Sequence, residues 1–201
     1  MHNMKTIMNH IFILLFVSAL NSCNNGDITL NQIANNQVEF EKQEVSLPAE
    51  NFSVMIPASW SWRNEEEDCD GENFLIMINA GSPGDKDGYI DIISIQKIKS
   101  QSKSNNLQTE YTYLLELSKT NSQGLKMVET GKTDVLNYPA YYFHTKSSSG
   151  TYGESENIGF IIESDEKGYF YHLIAGASQT EHLKENMSIM IHSLKTFKIK
   201  T

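Results

Sequence analysis

The chain has 201 residues, of which 39% are hydrophobic, 10% aromatic and 20% charged, enough apolar content for one folded domain and a poor fit to a disordered or fibrous protein. Lys plus Arg is 16 against 25 Asp plus Glu, a formal charge of −9, and Arg63 is the sole arginine, which makes nucleic acid a poor partner. Two cysteines, Cys23 and Cys69, cannot build a four-thiolate zinc site or a disulfide scaffold.

Residues 1–10 carry one cation, Lys5, and no acid; residues 11–20, IFILLFVSAL, are nearly all apolar, and small or polar residues lead to Cys23. This is the layout of a signal peptide over residues 1–22, and its apolar run is about half of the roughly 20 residues that a membrane-crossing helix needs. The string Leu20-Asn21-Ser22-Cys23 resembles the lipobox of bacterial lipoproteins, although Asn21 departs from the small residue commonest at that place. The resemblance implies lipidation of Cys23, whose thiol would form the thioether to a diacylglyceryl group and become the mature N-terminus. At about 0.8 kcal/mol per buried methylene, several acyl chains anchor a protein durably. Loss of residues 1–22 removes one cation and no acid, taking the charge from −9 to −10. Anionic headgroups repel such a surface, so the lipid and not a basic patch is expected to attach it.

Residues 24–43 hold Asn24, Asn25, Gly26, Asn31, Asn35 and Asn36 among isolated apolar residues without a sustained period. They read as part of a flexible tether over residues 23–44 with a coil reach of about 25 Å, followed by a single α+β domain over residues 45–201. Phe52, Val54 and Ile56 alternate before Pro57, and Trp60 and Trp62 continue the period of two. Residues 74–78 form a short apolar run between Gly71 and Gly81. In residues 89–99, Ile90 and Ile92 have one parity and Ile93 and Ile95 the other, which predicts a strand covered on both faces.

Asn106 can cap a helix whose stripe is Leu107, Tyr111, Leu114, Leu115 and Ser118, ending before Gly124. Residues 127–133, 134–145, 158–163 and 169–175 then read as four strands, the last two joined by a hairpin at Asp165-Glu166-Lys167-Gly168. The final helix is predicted from a capping box at Ser178 and Glu181 and a face of Leu183, Met187, Met190, Ile191 and Leu194, with Phe197 and Ile199 closing the chain. Strands in series broken by two helices, without βαβ alternation, predict an α+β fold: an antiparallel β-sheet of about six to eight strands flanked by two main helices.

Phe52-Ser-Val-Met-Ile-Pro57 with Trp60 soon after, a strand and then a long helix, a strand pair around Leu136-Asn-Tyr-Pro-Ala140, a tyrosine-rich hairpin and a terminal helix ending Ile191-His-Ser-Leu-Lys195 occur in that order. Together they resemble the PsbP-like and DcrB-like group of small α+β proteins over roughly residues 45–200. The resemblance implies a PsbP-like sheet flanked by helices, in a protein exported or attached to a membrane that binds other proteins. It implies no shared active site and carries over no functional residue.

Glu65, Glu66, Glu67, Asp68, Asp70 and Glu72 make an acidic loop, and Asp85-Lys86-Asp87-Gly88 repeats the D-x-D-G shape of Asp68-Cys69-Asp70-Gly71. Neither passes as an EF-hand, because position twelve falls on Met77 or Ser94 where a bidentate glutamate is required. Solvated acidic turns are the expected reading and a weak calcium site the alternative. His144, His172, His182 and His192 lack metal-ligand spacing; His172 shares a strand face with Phe170 and Ile174, and His182 and His192 lie off the apolar stripe of the last helix.

The nucleophile elbow fails at Gly153-Glu-Ser155-Glu156-Asn157, Ser147, Ser148 and Ser149 adjoin Gly150 in a loop, and no glycine-rich phosphate cradle occurs. Cys69 sits in an acidic run that disfavours a thiolate. Trp60, Trp62, Tyr138 and Tyr152 add to an aromatic set concentrated on strands, and the runs Tyr141-Tyr142-Phe143 and Tyr169-Phe170-Tyr171 must point to both faces of theirs, so either helices cover both faces or one presents an aromatic binding surface.

The expectation is a non-enzymatic, lipid-anchored binding or accessory protein of the bacterial cell envelope, on the periplasmic side or the cell surface. It is expected to touch the membrane through its lipid and to bind an envelope protein, without a catalytic residue, metal or cofactor. The alternatives are an envelope hydrolase assembled from distant residues such as His144 or His172, and a calcium-dependent module.

Overall fold

The computed structural model describes residues 27–46, 51–64, 74–121, 125–147, 154–178 and 180–200. In chain order these form α1 (Leu30–Ala34), β1 (Lys42–Ser46), β2 (Phe52–Pro57), β3 (Ser61–Asn64), β4 (Phe74–Gly81), β5 (Ile92–Lys99), α2 (Leu107–Asn121), β6 (Leu125–Thr133), β7 (Ala140–Ser147), β8 (Ser155–Glu163), β9 (Tyr169–Ser178), α3 (Leu183–Leu194) and β10 (Lys198–Ile199). Seven strands make one antiparallel sheet in the order β3-β4-β5-β9-β8-β7-β6, and β1-β2-β10 make a second, smaller one. This is the expected α+β architecture.

One face of the large sheet buries the main core. Ile78, Ile93, Ile95, Phe160, Tyr171 and Leu173 point toward Met187, Met190, Ile191 and Leu194 of α3 and toward Val45, Phe52, Val54 and Ile56 of the small sheet. The 3.6-residue stripe of the last helix therefore falls where its spacing predicts. Its start does not: Ser178 belongs to β9, where it pairs with Ser155, and His182 occupies the cap position without a side-chain hydrogen bond. Strand pairing has taken the residue that the capping pattern assigned to the helix.

The opposite face carries a smaller core of Ile98, Ile161 and Phe170 under Leu107, Tyr111 and Leu114 of α2. The Asn106 side chain accepts from the Thr109 backbone N–H at 3.0 Å, as expected of the helix cap. Tyr111 stacks on Tyr141 and Phe143 at centroid distances of 4.4 and 5.2 Å, so α2 covers the outward side of the Tyr141-Tyr142-Phe143 run while Tyr142 joins the main core. The two helices and the small sheet thus cover Tyr141, Tyr142 and Phe143 of β7 and Phe170 and Tyr171 of β9, while Tyr169 is half-buried beside Lys97. On the outward side of β5, Ser94 and Ile98 are buried but Ile92 is 46% exposed, as is Ile90 just before the strand at 51%.

Two further expectations are corrected. Residues 134–139 turn before β7 and are not strand. Trp60 lies in a turn after Pro57 and Trp62 on the first strand of the other sheet, so the apparent period of two spans a change of sheet.

The larger correction concerns the tether. Residues 27–36 are fastened to the domain: Leu30, Ile33 and Ala34 are buried in the main core. The short helix is held by a capping box between Thr29 and Gln32. The Ala34 carbonyl accepts from Lys195 Nζ at 2.7 Å, the Asn36 carbonyl faces His192 Nε2 at 3.0 Å, and the Asn36 amide donates to Ser188 Oγ at 3.1 Å. Ten residues of the expected tether, 27–36, thus belong to the folded unit, and so do residues 42–44, which pair with β2 as the start of β1. No helix among the described residues is long and apolar enough to cross a membrane.

Candidate functional site

A recess of about 310 Å3 opens at one end of the molecule, walled by Phe40, the turn after β2, the loop from β4 to β5, and the chain entering α3. Each wall is held by local chemistry. Pro57 ends β2, the Trp60 N–H closes back on its carbonyl at 3.0 Å, and Gln43 Nε2 donates to the carbonyls of Pro57, Ala58 and Trp60 at 3.1, 3.3 and 2.6 Å. One amide side chain therefore fixes the turn that carries Trp60.

Across the recess, Asp85 Oδ1 accepts from the backbone N–H groups of Asp87 and Tyr89 at 2.8 and 2.9 Å, and Gly88 supplies the left-handed conformation at φ +81°. Asp85-Lys86-Asp87-Gly88 is thus a turn whose first carboxylate orders the backbone and sets Tyr89 beside it. Ser82 and Asp91 close the base of this loop reciprocally, Ser82 N–H to the Asp91 carbonyl and Asp91 N–H to Ser82 Oγ, both at 2.9 Å.

The Asp91 carboxylate lines the recess and takes hydrogen bonds from the Ser178 backbone and the Asn186 side chain. Burial raises its pKa above the ordinary carboxylate value and the charge of Asp85 adds to this, against the pull of the two donors. Among the described residues, the lining holds the rings of Phe40, Trp60 and Tyr89, the carboxylates of Asp85 and Asp91, several hydroxyls and no basic side chain. Concave shape with aromatic walls and a few convergent polar groups is the usual make-up of a binding site.

The histidines have other duties. His144 is fully buried on β7 with Nε2 at 2.9 Å from Glu156 Oε2, and the same carboxylate meets Lys146 Nζ at 2.5 Å. Lys146 and Lys126 reach Asp27 at 3.0 and 2.8 Å. Burial pushes Glu156 up, but the bonds from His144 and Lys146 outweigh it and hold the carboxyl low; Lys126 and then Lys146 bring Asp27 down to about 2. Beside this network the Leu30 N–H donates to Glu129 at 2.9 Å. Glu129 also hydrogen-bonds Tyr142, whose hydroxyl pKa is raised by burial and by that bond. The arrangement pins the N-terminal segment to β6, β7 and β8 and leaves His144 no opening for a substrate.

His172 lies on the α2 side of β9, its Nε2 shielded from solvent with no hydrogen-bond partner, and burial brings its pKa down to about 4. A neutral imidazole enclosed in this way fills space. His182 is exposed beside Glu181, at 3.4 Å, whereas His192, expected on the solvent side, is half-buried against Asn36. Among the described residues no three His, Cys, Asp or Glu side chains converge as metal ligands. Cys23, Cys69, the Asp68-to-Gly71 motif, Ser148, Ser149, Gly150, Tyr152 and Gly153 lie outside the described residues.

With the geometry in view, the chain can be set against known proteins. No family model matches it, and no curated protein matches it in sequence. Among solved structures, cyanobacterial PsbP (CyanoP) from Synechocystis sp. PCC 6803 superposes with a TM-score of 0.54 at 9% identity, over 82% of this chain and 96% of that one. The fold is PsbP-like. The Ran-binding protein Mog1p of Saccharomyces cerevisiae gives 0.53 at 7% identity over 80% and 96% of the two chains. LpqN of Mycobacterium tuberculosis, involved in cell envelope biogenesis, gives 0.50 at 14% identity over 89% and 100%. At such identities the likeness is one of fold, and the PsbP-like architecture is a frame on which different loops are mounted.

From sequence, Trp60 stands out only as part of a possible aromatic surface and Asp85-to-Gly88 only as a weak calcium-site alternative, with nothing to join them into one recess. Its walls come from positions 40, 60, 85–91 and 178–189, and only the Asp85-to-Gly88 turn was visible as a motif.

Proposed function

We propose that this is a lipid-anchored, non-enzymatic binding or accessory protein of the bacterial cell envelope that holds another protein through the recess beside Trp60, Tyr89 and Asp91. The observation that carries the reading is that recess: three separate chain segments, each braced by its own hydrogen bonds, converge on a concave aromatic and acidic lining. The lipobox-like string at Cys23 supports the anchor, and a PsbP-like neighbour involved in envelope biogenesis, with another named for binding Ran, supports an accessory role on this fold.

The docked N-terminal segment changes how such an anchor would act. Cys23 and Asp27 are four residues apart, which spans at most about 14 Å of extended chain. With Asp27 held by Lys126 and Lys146, the lipid would keep the β6–β7 corner near the headgroups and present the far end of the sheet to a partner.

A photo-crosslinking residue at Ser59 on the recess rim, compared with one at Thr112 on the exposed side of α2, tests the reading in the full-length chain. The expected result is a discrete envelope protein crosslinked from position 59 and not from 112, with its yield lowered in Cys23→Ala. Equal or no crosslinking from both positions overturns it.

A further inference from the structure

We infer that the recess seats the ammonium or guanidinium group of a lysine or arginine side chain presented by the partner protein, a reading that rests on the binding role proposed above. Charge argues first: among the described residues two carboxylates and no basic side chain line the recess, in a chain whose net charge is −9. A neutral or anionic occupant would bury Asp91 still further without a counter-charge, which is costly, whereas a cation supplies one.

The rings argue next. Cations are attracted to aromatic faces, tryptophan best, and more strongly when desolvated. Phe40 already has such a visitor, with Lys42 Nζ 5.1 Å from its centroid, so Trp60 and Tyr89 are the rings left for the ligand. Preorganisation is the third support. Asp85 is fixed by two backbone amides, Asp91 by Ser178 and Asn186, and the Trp60 turn by Gln43, so little ordering is left to do on binding. Finally, about 310 Å3 lies at the small end of ligand cavities, the scale of one side-chain head and stem.

Trp60 can report its own occupancy. The chain has two tryptophans, so Trp62→Phe leaves Trp60 as the single emitter. The full-length protein in detergent would be titrated with the N-acetyl amides of lysine, arginine, norleucine and glutamate. Saturable emission changes are expected for lysine and arginine, with norleucine and glutamate weaker by about tenfold or more. Asp91→Asn keeps an acceptor for Ser178 while removing the charge, and should weaken the basic probes by about tenfold. Asp85→Asn, which keeps an acceptor for the two loop amides, serves should Asp91→Asn fail to fold.

Norleucine amide binding as well as lysine amide, or affinity unchanged in the folded Asn variants, overturns the cation assignment. Absence of a response to any probe overturns it too. In each of these cases crosslinks that persist from position 59 leave the proposed binding role standing, while their loss removes that role as well.

Discussion

Phe197 is buried between the two sheets with its ring 5.4 Å from Phe52, 5.1 Å from Tyr171 and 6.2 Å from Tyr138. It follows the last helix directly and brings β10 onto β2, so one side chain joins helix, small sheet and large sheet. Phe197→Ala should destabilise the protein by about 4 kcal/mol, read from urea denaturation, because the three remaining aromatic side chains cannot close over the hole. His172 makes a second residue-scale prediction, in pH. Its imidazole titrates near 4 when folded against 6.5 ordinarily, so between those values the unfolded chain binds the extra proton. The stability contributed by the neutral ring is therefore complete above about pH 6.5 and is lost as pH falls toward 4. Between pH 7 and pH 5 this residue should account for about 2 kcal/mol of lost stability. Comparing the native protein with His172→Leu at both pH values checks it, the variant showing the flatter profile.

At the scale of elements, α2 is fastened to β5 through Glu110. Its buried carboxylate accepts from Ser100 Oγ and Ser102 Oγ at 2.8 and 2.7 Å and from the Gln101 and Ser102 N–H groups at 2.9 and 3.1 Å. Burial alone would raise its pKa, and these donors reverse the direction. Glu110→Ala leaves the loop donors without their acceptor and should cost about 3 kcal/mol in thermal or chemical unfolding. This residue also shows where reading by pattern stops. The stripe of α2 and the stripe of α3 were legible because three or more turns of apolar spacing average out local exceptions. Glu110 looked like any first-turn acid, since nothing in its neighbours marks a carboxylate turned inward. Helix α1 escaped notice for a related reason: five residues give one turn, too short for a period, and its only local signal was the Thr29–Gln32 capping box. The paired tryptophans misled in the opposite sense, because alternation persists by chance across the turn at Pro57. The recess shows the same limit, for its carboxylates and rings come from segments that only tertiary packing brings together.

For the whole molecule, the decisive question is whether residues 27–36 are a leash or a part of the domain. Leu30 and Ile33 are almost completely buried among Met187, Met190, Ile191 and Leu136, which places the segment over α3 on the inner face of the large sheet. Burial of two large aliphatic side chains contributes about 4 kcal/mol, more than the exposed ion pairs of Asp27 with Lys126 and Lys146 can add. A chain starting at residue 27 should therefore melt like the mature protein, while one starting at residue 37 should melt about 10 °C lower. A leash would give equal melting temperatures for the two. Charge substitutions supply a companion measurement. Asp27→Asn removes only surface pairing and should leave the melting temperature nearly unchanged. Lys146→Met takes the ammonium away from the fully buried Glu156 carboxylate, leaving it to His144, and should cost about 3 kcal/mol. That ordering, with the inner member of the network costing more than the outer one, follows from the burial of Glu156 and holds for strap and tether alike. A flexible tether touching Asp27 only in passing would still show the Lys146 effect but not the truncation effect, so the two measurements together assign the ten residues to the domain or to the linker.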